Sequence, residues 1–160
     1  MEKMKKFTHF DNNGKAKMVD VSKKEDSLRV ATARGCIILN SQIIKKIREN
    51  QIQKGDVLAV AKIAGINAAK KTWELVPLCH QIRLTGIDIN FEISDIENKI
   101  IAISTIKGYD KTGVEMEALV SVALSLAAIY DMCKAVSKKM IIGEIELINK
   151  TGGKSDYEKK

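Results

Sequence analysis

At 160 residues, the chain is long enough for one domain with its own core, and 45% hydrophobic and 29% charged residues are ordinary for a globular protein. The formal net charge of +7 favours anionic partners, but only 4% of the residues are aromatic, so surfaces that stack on single-stranded nucleic acid are scarce. Three widely spaced cysteines without a C-x-x-C motif argue against a disulfide framework and a zinc site, and they favour a reducing, cytoplasmic setting.

The N-terminal half predicts an arm, one strand and two helices. Residues 1–17 are polar and lysine-rich, which indicates a mobile arm without the layout of a signal peptide. The β-branched and small residues from Leu28 to Leu39 predict a strand, and isoleucines at helical spacing predict a short helix over 40–50. Asp56 is the predicted N-cap of a second helix that reaches about Leu75, before the only proline in the chain, Pro77.

The C-terminal half predicts three strands around one long helix. Apolar residues alternate with polar ones over 87–93 and again over 101–105, and the turn at 97–99 joins the two segments into an antiparallel hairpin. Residues 141–148 supply a last strand, and a Gly-Gly-Lys-Ser segment begins a flexible tail over 151–160. Because strands and helices do not alternate regularly, we expect one α+β domain over 1–160, a sandwich with helices on one face of a mostly antiparallel sheet.

The long helix, within residues 111–134, is the most informative element. Between Ala118 and Tyr130 its only polar residues are Ser121 and Ser125, so it should be buried on most sides. This apolar run is too short to span a bilayer. Thr112 and Glu115 have the spacing of a capping box. Glu115 therefore either caps the helix only or also belongs to a functional site.

The opposite end of this helix carries Asp131 and Lys134, three residues apart and therefore on one face. Such a pair is either an ordinary ion pair or a pair whose members tune each other for proton transfer. Glu115 and Asp131 are separated by about 24 Å along an ideal helix. One small reacting centre cannot touch both within one subunit, so we expect a long pocket or a site shared between subunits.

Two further segments carry polar groups with open interpretations. His80 follows the break at Pro77, where its side chain is either packed or faces a cleft, and with Cys79 it lacks the spacing of a metal site. The segment Gly152–Ser155 is not a phosphate-binding P-loop, because the first glycine and the following helix are missing. Its backbone amides could still fold over a phosphate group.

Several segments together resemble the cyclic pyranopterin monophosphate synthase family, the C proteins of molybdenum cofactor biosynthesis. They occur in order along the chain and cover most of residues 18–155. The matching segments are 18–22, the spaced Lys24, Arg29, Ala31, Ala33 and Gly35, and then 54–57, 63–66, 68–70, 77–80, 111–119, 129–135 and 152–155.

The resemblance implies a ferredoxin-like subunit in a homohexamer, a trimer of dimers with active sites at subunit interfaces. It implies conversion of (8S)-3',8-cyclo-7,8-dihydroguanosine 5'-triphosphate, a cyclised dihydro-GTP, to cyclic pyranopterin monophosphate and pyrophosphate. It further implies a cytoplasmic enzyme with no required cofactor, no bound metal except Mg²⁺ as an optional companion of the triphosphate, and no nucleic-acid or membrane partner.

Carried over residue by residue, the resemblance assigns Asp131 and Lys134 as the catalytic pair. Three basic residues match pocket positions, namely Arg29, Lys54 and Lys70. The substrate-binding segments are matched by Leu78, Cys79, His80, Glu115, Met116 and Glu117. One departure is Gln81, where the family usually has proline, and it lowers the expected rigidity of the loop around His80.

Two rival interpretations stay open at the level of sequence. A basic, non-catalytic nucleic-acid-binding oligomer on the same scaffold explains the charge of +7, and it predicts binding that weakens steeply with salt. It does not explain the matched positions of His80 and Lys134. A catalytically inactive relative that only binds nucleotides is the second rival, although every matched catalytic residue is present.

Overall fold

Five strands form one antiparallel sheet in the computed structural model, which describes residues 14–160. The sheet order is β2-β3-β1-β4-β5, and most of the predicted N-terminal arm lies outside the described residues. The predicted hairpin is confirmed, since β2 pairs with β3 on either side of the turn near Asn98. The strands are β1 (Ser27–Ile38), β2 (Leu84–Ser94), β3 (Lys99–Asp110), β4 (Ile141–Thr151) and β5 (Tyr157–Glu158).

Three helices are present in the same range: α1 (Ser41–Arg48), α2 (Val57–Leu75) and α3 (Glu115–Cys133). The first two begin where their side-chain caps predict. The Asn40 side chain accepts a hydrogen bond from the amide of Ile43 at 2.8 Å, and Asp56 accepts one from Ala59 at 3.0 Å. The predicted α+β sandwich is confirmed, because α2 and α3 pack on each other and on the antiparallel sheet.

The core lies between α3 and the central strands. Burying a side chain the size of Leu126 contributes about 2 kcal/mol, so this layer provides much of the drive to fold. The buried residues of this core layer include Ala31, Ala33 and Ile37 of β1, Ile100, Ala102 and Ile106 of β3, and Ala118, Val122, Leu126 and Ile129 of α3.

A glycine sets the distance between α2 and α3. A Cβ atom at Gly65 would lie 2.2 Å from the Ser125 hydroxyl oxygen and 2.6 Å from Ile89 Cδ1, which is closer than atoms can approach. Ser121 and Ser125 are fully buried at this contact, and the Ser121 hydroxyl bonds Ser104 at 3.1 Å. The serines in the apolar helix are therefore explained by close helix packing.

The length of α3 does not exclude a membrane span, contrary to the expectation from its uninterrupted apolar run. The observed helix is longer than its uninterrupted apolar run, and by length and composition alone α3 passes the test for a membrane span. Half of its most apolar window is buried within the fold, against the sheet and α2. Packing, and not length, therefore identifies α3 as a core helix.

The predicted capping box at the start of α3 is wrong. The N-cap residue is Val114, with no side-chain cap, and the Glu115 carboxylate instead accepts a hydrogen bond from the Lys150 ammonium at 2.7 Å. The helix starts later than the box requires, so Glu115 occupies its first turn and is close to β4. An ion pair with a lysine on a neighbouring strand replaces the local cap.

The C-terminal segment 151–160 departs from the predicted flexible tail. Gly152 has a φ of +86°, a backbone conformation that glycine adopts without strain, and the chain turns back there. Residues 157–158 then pair with β4 as β5, and the side chain of Lys159 pairs with Glu146. A two-residue strand in a polar segment carries no periodicity, so it could not be predicted.

Candidate active site

The predicted site residues separate into two clusters at opposite ends of α3. Asp131, Lys134 and Lys54 form the C-terminal cluster. The N-terminal cluster surrounds the start of α3 and includes His80 and Glu117. The two ends of this helix are about 24 Å apart, as expected from the rise of an α-helix.

The C-terminal cluster is a carboxylate between two ammonium groups. Asp131 lies 2.7 Å from the Lys134 nitrogen through Oδ1 and 2.8 Å from the Lys54 nitrogen through Oδ2. Lys54 also donates to the backbone carbonyl of Asp131 at 3.0 Å. All three side chains are about half exposed, so they are accessible to a ligand and add little to stability.

The protonation states in this cluster follow from the contacts. Hydrogen bonds from Lys134 and then from Lys54 lower the pKa of Asp131 to about 2, and Asp131 in turn raises the pKa of Lys134. At neutral pH Asp131 is therefore ionised and Lys134 is protonated. In this state Lys134 can donate a proton or stabilise an anion, while Asp131 is too acidic to be an effective base.

The N-terminal cluster surrounds a cavity of about 410 Å³, which we call the His80 cavity. The loop before β2, the segment before α3 and the chain around residues 19–24 form its walls. The lining residues are Val19, Val21, Lys24, Leu78, Cys79, His80, Ile82, Thr112, Gly113, Glu115, Met116 and Glu117. Six predicted substrate-binding residues, from Leu78–His80 and Glu115–Glu117, thus share one cavity.

The segment around Val19 is held to this cavity by two hydrogen bonds. His80 Nε2 lies 2.8 Å from the carbonyl of Val19, and the Lys111 ammonium donates to the carbonyl of Ser22 at 3.0 Å. A carbonyl oxygen can only accept, so Nε2 of His80 carries a proton. The contact thus orients the ring and leaves the Nδ1 atom as the nitrogen that a ligand can reach.

Glu117 is the most unusual group in this cluster. Its side chain is only 3% exposed, and among residues 14–160 its Oε2 atom has no hydrogen-bond partner. Burial, reinforced by the charge of Glu115, raises the pKa of Glu117 to about 7. This carboxyl group can therefore donate or accept a hydrogen bond near neutral pH.

A second cavity, of about 240 Å³, adjoins the His80 cavity and is rich in cations; we call it the cationic cavity. The two share four lining residues, namely Lys24, Thr112, Gly113 and Glu115. Other basic side chains that line the cationic cavity are Arg29, Lys111, Lys150 and Lys154. Such a concentration of positive charge suits a polyphosphate.

Arg29 has a structural task within the cationic cavity. It is 8% exposed and donates to the carbonyls of Asp110 at 3.1 Å and Lys111 at 3.2 Å, and also to the carbonyl of Gly152. The guanidinium group thus holds together the end of β3 and the turn after β4. Its buried charge also adds to the positive potential around a bound anion.

The family relationship of the chain is consistent with this arrangement. The model of the MoaC family matches residues 18–153. The chain belongs to the MoaC family. The match includes all the predicted site residues in both clusters.

Relatives in the MoaC family named cyclic pyranopterin monophosphate synthase have nearly the same length. The protein of Clostridium perfringens (strain 13 / Type A) is 53% identical over 150 residues, covering 94% of this chain and 95% of its own. Those of Peptoclostridium acidaminophilum and Heliobacterium modesticaldum are 51% and 49% identical and cover 96% of this chain. They cover 98% and 97% of their own chains.

The structure does not bring all predicted site residues of this MoaC chain together. Lys70 lines a cavity of about 480 Å³ that adjoins the His80 cavity at Glu117. Lys54 joins the predicted catalytic pair and not the other basic pocket positions. The roles of these residues remain predictions, and so does the absence of a required cofactor or a resident metal.

Sequence reasoning overlooked several cations. Lys111, Lys150 and Lys154 line the cationic cavity, but none was named as a site residue. Lys150 pairs with Glu115 because β4 lies beside β1, where Ala31 is paired with Lys150. Residues that approach each other from different strands leave no pattern in the local sequence. Lys111 could have been identified as a site residue, because it stands next to Thr112 in a segment that matches the family.

Proposed function

We propose that this chain is a cyclic pyranopterin monophosphate synthase, which converts (8S)-3',8-cyclo-7,8-dihydroguanosine 5'-triphosphate to cyclic pyranopterin monophosphate and pyrophosphate. One observation carries the proposal: the His80 cavity and the cationic cavity share the wall formed by Thr112, Gly113 and Glu115. A nucleoside triphosphate needs such a pair, one cavity for rings and one for phosphates. Membership of the MoaC family supports the same assignment.

In this assignment, the triphosphate binds in the cationic cavity. Lys150 and Lys111 supply ammonium groups, which in this structure contact the Glu115 carboxylate and the Ser22 carbonyl, and Arg29 adds a fixed charge. These charges also stabilise the negative charge that develops on pyrophosphate as it leaves. Mg²⁺ accompanying the triphosphate remains a proposal, and within residues 14–160 no group of three or more His, Cys, Asp or Glu residues could hold a metal ion.

The chemistry is assigned to the C-terminal cluster. Rearranging the purine ring and closing the cyclic phosphate require several proton transfers. Lys134 is protonated at rest and donates a proton, and Asp131 orients it and maintains its charge through the 2.7 Å contact. Lys54, on the other side of Asp131, is available for a phosphate oxygen.

The separation of the clusters supports a site that is shared between two copies of the chain. In this assignment the start of α3 from one subunit meets the end of α3 from another, because a small substrate does not bridge about 24 Å. Exposed apolar side chains on the helices support such an interface; they include Val60 and Ile63 on α2 and Leu124 on α3. We therefore extend the proposal to a homohexamer, a trimer of dimers, in the cytoplasm.

The direct test incubates the purified protein with the cyclised dihydro-GTP and measures pyrophosphate and the pterin product. We expect both products in a ratio of one to one. Substrate binding without turnover would favour a catalytically inactive nucleotide-binding relative, and the proposed function would then be wrong. Binding of polynucleotide alone, weakening steeply with salt, would favour the nucleic-acid-binding alternative.

A subunit-mixing experiment tests the shared site. Lys134→Ala inactivates the C-terminal cluster and His80→Ala the N-terminal cluster, so each variant alone should be inactive. In mixed dimers of both variants, one of the two sites carries neither change, and random mixing should restore about a quarter of wild-type activity. No recovery in proven mixed oligomers would mean that each site lies within one subunit.

A further inference from the structure

His80 lies in a loop between α2 and β2 that has little regular structure of its own. We call residues 76–83 the His80 loop, and its internal backbone hydrogen bond runs from the amide of Cys79 to the carbonyl of Val76 at 3.0 Å. Gln81 is exposed, and within the described part of the chain its amide donates no backbone hydrogen bond. The residue that directly follows His80 therefore does not restrain the loop by itself.

The end of β3 holds the C-terminal part of this loop. The Asp110 carboxylate accepts a hydrogen bond from the amide of Arg83 at 3.1 Å through Oδ2, and one from the amide of Lys111 at 2.8 Å through Oδ1. The carbonyl of Arg83 in turn accepts a hydrogen bond from the amide of Tyr109 at 3.1 Å. One carboxylate thus joins two walls of the His80 cavity, namely the His80 loop and the segment before α3.

The side chain of Arg83 extends this connection to the third wall. Its guanidinium group pairs with the Asp26 carboxylate and lies 5.8 Å from the centre of the Tyr109 ring. Asp26 closely follows the chain around residues 19–24, which lines the cavity. The Arg83 side chain is exposed, so this ion pair is weak in water, and the hydrogen bond from its amide to Asp110 is the stronger restraint.

The Asp110 carboxylate is well suited to hold the loop. Burial alone would raise its pKa, but the hydrogen bonds from the amides of Arg83 and Lys111 outweigh burial and lower that pKa below its ordinary value. The group is therefore ionised at neutral pH, and hydrogen bonds to an ionised acceptor are stronger than those to a neutral one. Asp110 lines neither the His80 cavity nor the cationic cavity, so it acts on the site only through its neighbours.

We propose that Asp110 is a positioning residue whose carboxylate restrains the His80 loop and thereby keeps His80 in place to bind the substrate. The proposal rests on the proposed function, in which the substrate binds beside His80. Gln81 stands where proline is usual in the family, so the loop lacks the restraint of a proline ring. The hydrogen bonds of Asp110 supply a comparable restraint from outside the loop.

Loss of this restraint should weaken substrate binding and leave turnover unchanged. In Asp110→Ala only a fraction of the subunits would hold the loop in its binding conformation, and KM rises in inverse proportion to that fraction. We expect KM for the cyclised dihydro-GTP to rise about tenfold while kcat stays within about twofold. Removing a negative charge next to Lys111 would by itself strengthen the binding of a triphosphate, so a rise in KM reports the loop.

A proline within the loop provides the variant that tests the cause. Gln81→Pro fixes the backbone φ angle after His80 and removes an amide that donates no backbone hydrogen bond, so alone it should keep KM within about twofold of wild type. In Asp110→Ala with Gln81→Pro, the proline replaces the lost restraint, and KM should return to within about threefold of wild type. Asp88→Ala is the control, because Asp88 is exposed on β2 and accepts from the side chain of Asn90.

Hydrogen exchange measures the restraint without substrate. In the ligand-free oligomer, the amides of residues 79–83 should exchange about tenfold faster in Asp110→Ala than in the wild type or in Asp88→Ala. Adding Gln81→Pro should reverse this change at the remaining amides. Amides in the middle of α3 should exchange at the wild-type rate in every variant, which separates loosening of the loop from a general loss of stability.

The outcomes separate this inference from the proposed function. If the wild-type protein turns over the substrate, and Asp110→Ala matches Asp88→Ala in KM and in exchange, Asp110 is not a positioning residue. A raised KM that Gln81→Pro does not lower, although this variant alone is active, would mean that Asp110 acts by another route, and the proposal would be wrong. If the wild-type protein does not turn over the substrate, the proposed function is wrong, and the exchange rates alone decide whether Asp110 restrains the loop.

Discussion

The two ends of α3 place carboxyl groups in opposite environments. Near the start, Glu117 is 3% exposed, has an unpaired oxygen in the described structure, and has a pKa raised to about 7. Near the end, Asp131 is exposed between Lys134 and Lys54, and its pKa is lowered to about 2. Near neutral pH the same functional group is therefore partly neutral at one end and ionised at the other.

This difference suits one helix to the two tasks that we propose for its ends. A buried carboxyl without a partner costs folding energy, and it is useful only where a ligand can occupy its free oxygen. An exposed carboxylate between ammonium groups costs little, and here it raises the pKa of Lys134. We therefore assign recognition to the first end and proton transfer to the second, and the following changes test this division.

The largest expected effect is on turnover. Lys134→Ala removes the proton donor, so kcat should fall by about a thousandfold or more while substrate binding and the oligomer are retained. Product formation measured at saturating substrate checks this. Lys139→Ala, an exposed lysine outside the cluster, should keep wild-type activity. Turnover that survives in Lys134→Ala would remove Lys134 from the mechanism.

The next largest effect is on the pH dependence of stability, and it comes from Glu117 at the buried start of α3. Glu117 has a pKa above its ordinary value, so its contribution to stability is fully present at low pH and is lost as pH rises towards 7. Between pH 5 and pH 8 the wild-type free energy of unfolding should fall by roughly 2–3 kcal/mol more than that of Glu117→Gln. Urea denaturation at fixed protein concentration measures the difference.

Glu92→Gln is the control for that comparison, because Glu92 is exposed. Its free energy of unfolding should depend on pH as that of the wild type does. If Glu117→Gln also follows the wild type, the carboxyl group of Glu117 is not held in its neutral form.

A smaller effect is expected from Asp131→Asn. Asp131 raises the pKa of Lys134, so removing its charge lowers that pKa and the basic limb of the pH–rate profile should move to lower pH. The rate at neutral pH should fall by about tenfold, because the ammonium loses its orienting partner. An unchanged basic limb would mean that Lys134 does not control it. Asp95→Asn, which breaks an exposed pair with Arg48, is the matched control.

The smallest expected effect concerns the N-terminal cap of α3. If Thr112 capped α3, Thr112→Ala would cost about 1 kcal/mol of stability, but Val114 is the N-cap without a side-chain bond. We expect a loss below about 0.5 kcal/mol. Asn40→Ala, which removes an observed cap, should cost about 1 kcal/mol in the same urea experiment. Equal losses would restore the capping box.

The elements themselves were largely predictable, since strong periodicity and the caps Asn40 and Asp56 act over neighbouring residues. The Asp131 and Lys134 pair was equally local. The pairing of Glu115 with Lys150 was not, because strand order brings it about. The burial of Glu117 was also hidden, since it depends on how α2, the loop before β2 and α3 pack together.

The close contact at Gly65 links the two halves of the site mechanically. Gly65 lies near the middle of α2, opposite Ser121 and Ser125 near the middle of α3. Functional side chains lie on either side of that contact: the ion pair of Lys54 and Asp131 lies towards one side, and Lys70 and Glu117, which line one cavity, lie towards the other. Rotation of α2 about this contact would displace all four side chains at once. The geometry at both ends of α3 therefore depends on one quantity, the angle between α2 and α3.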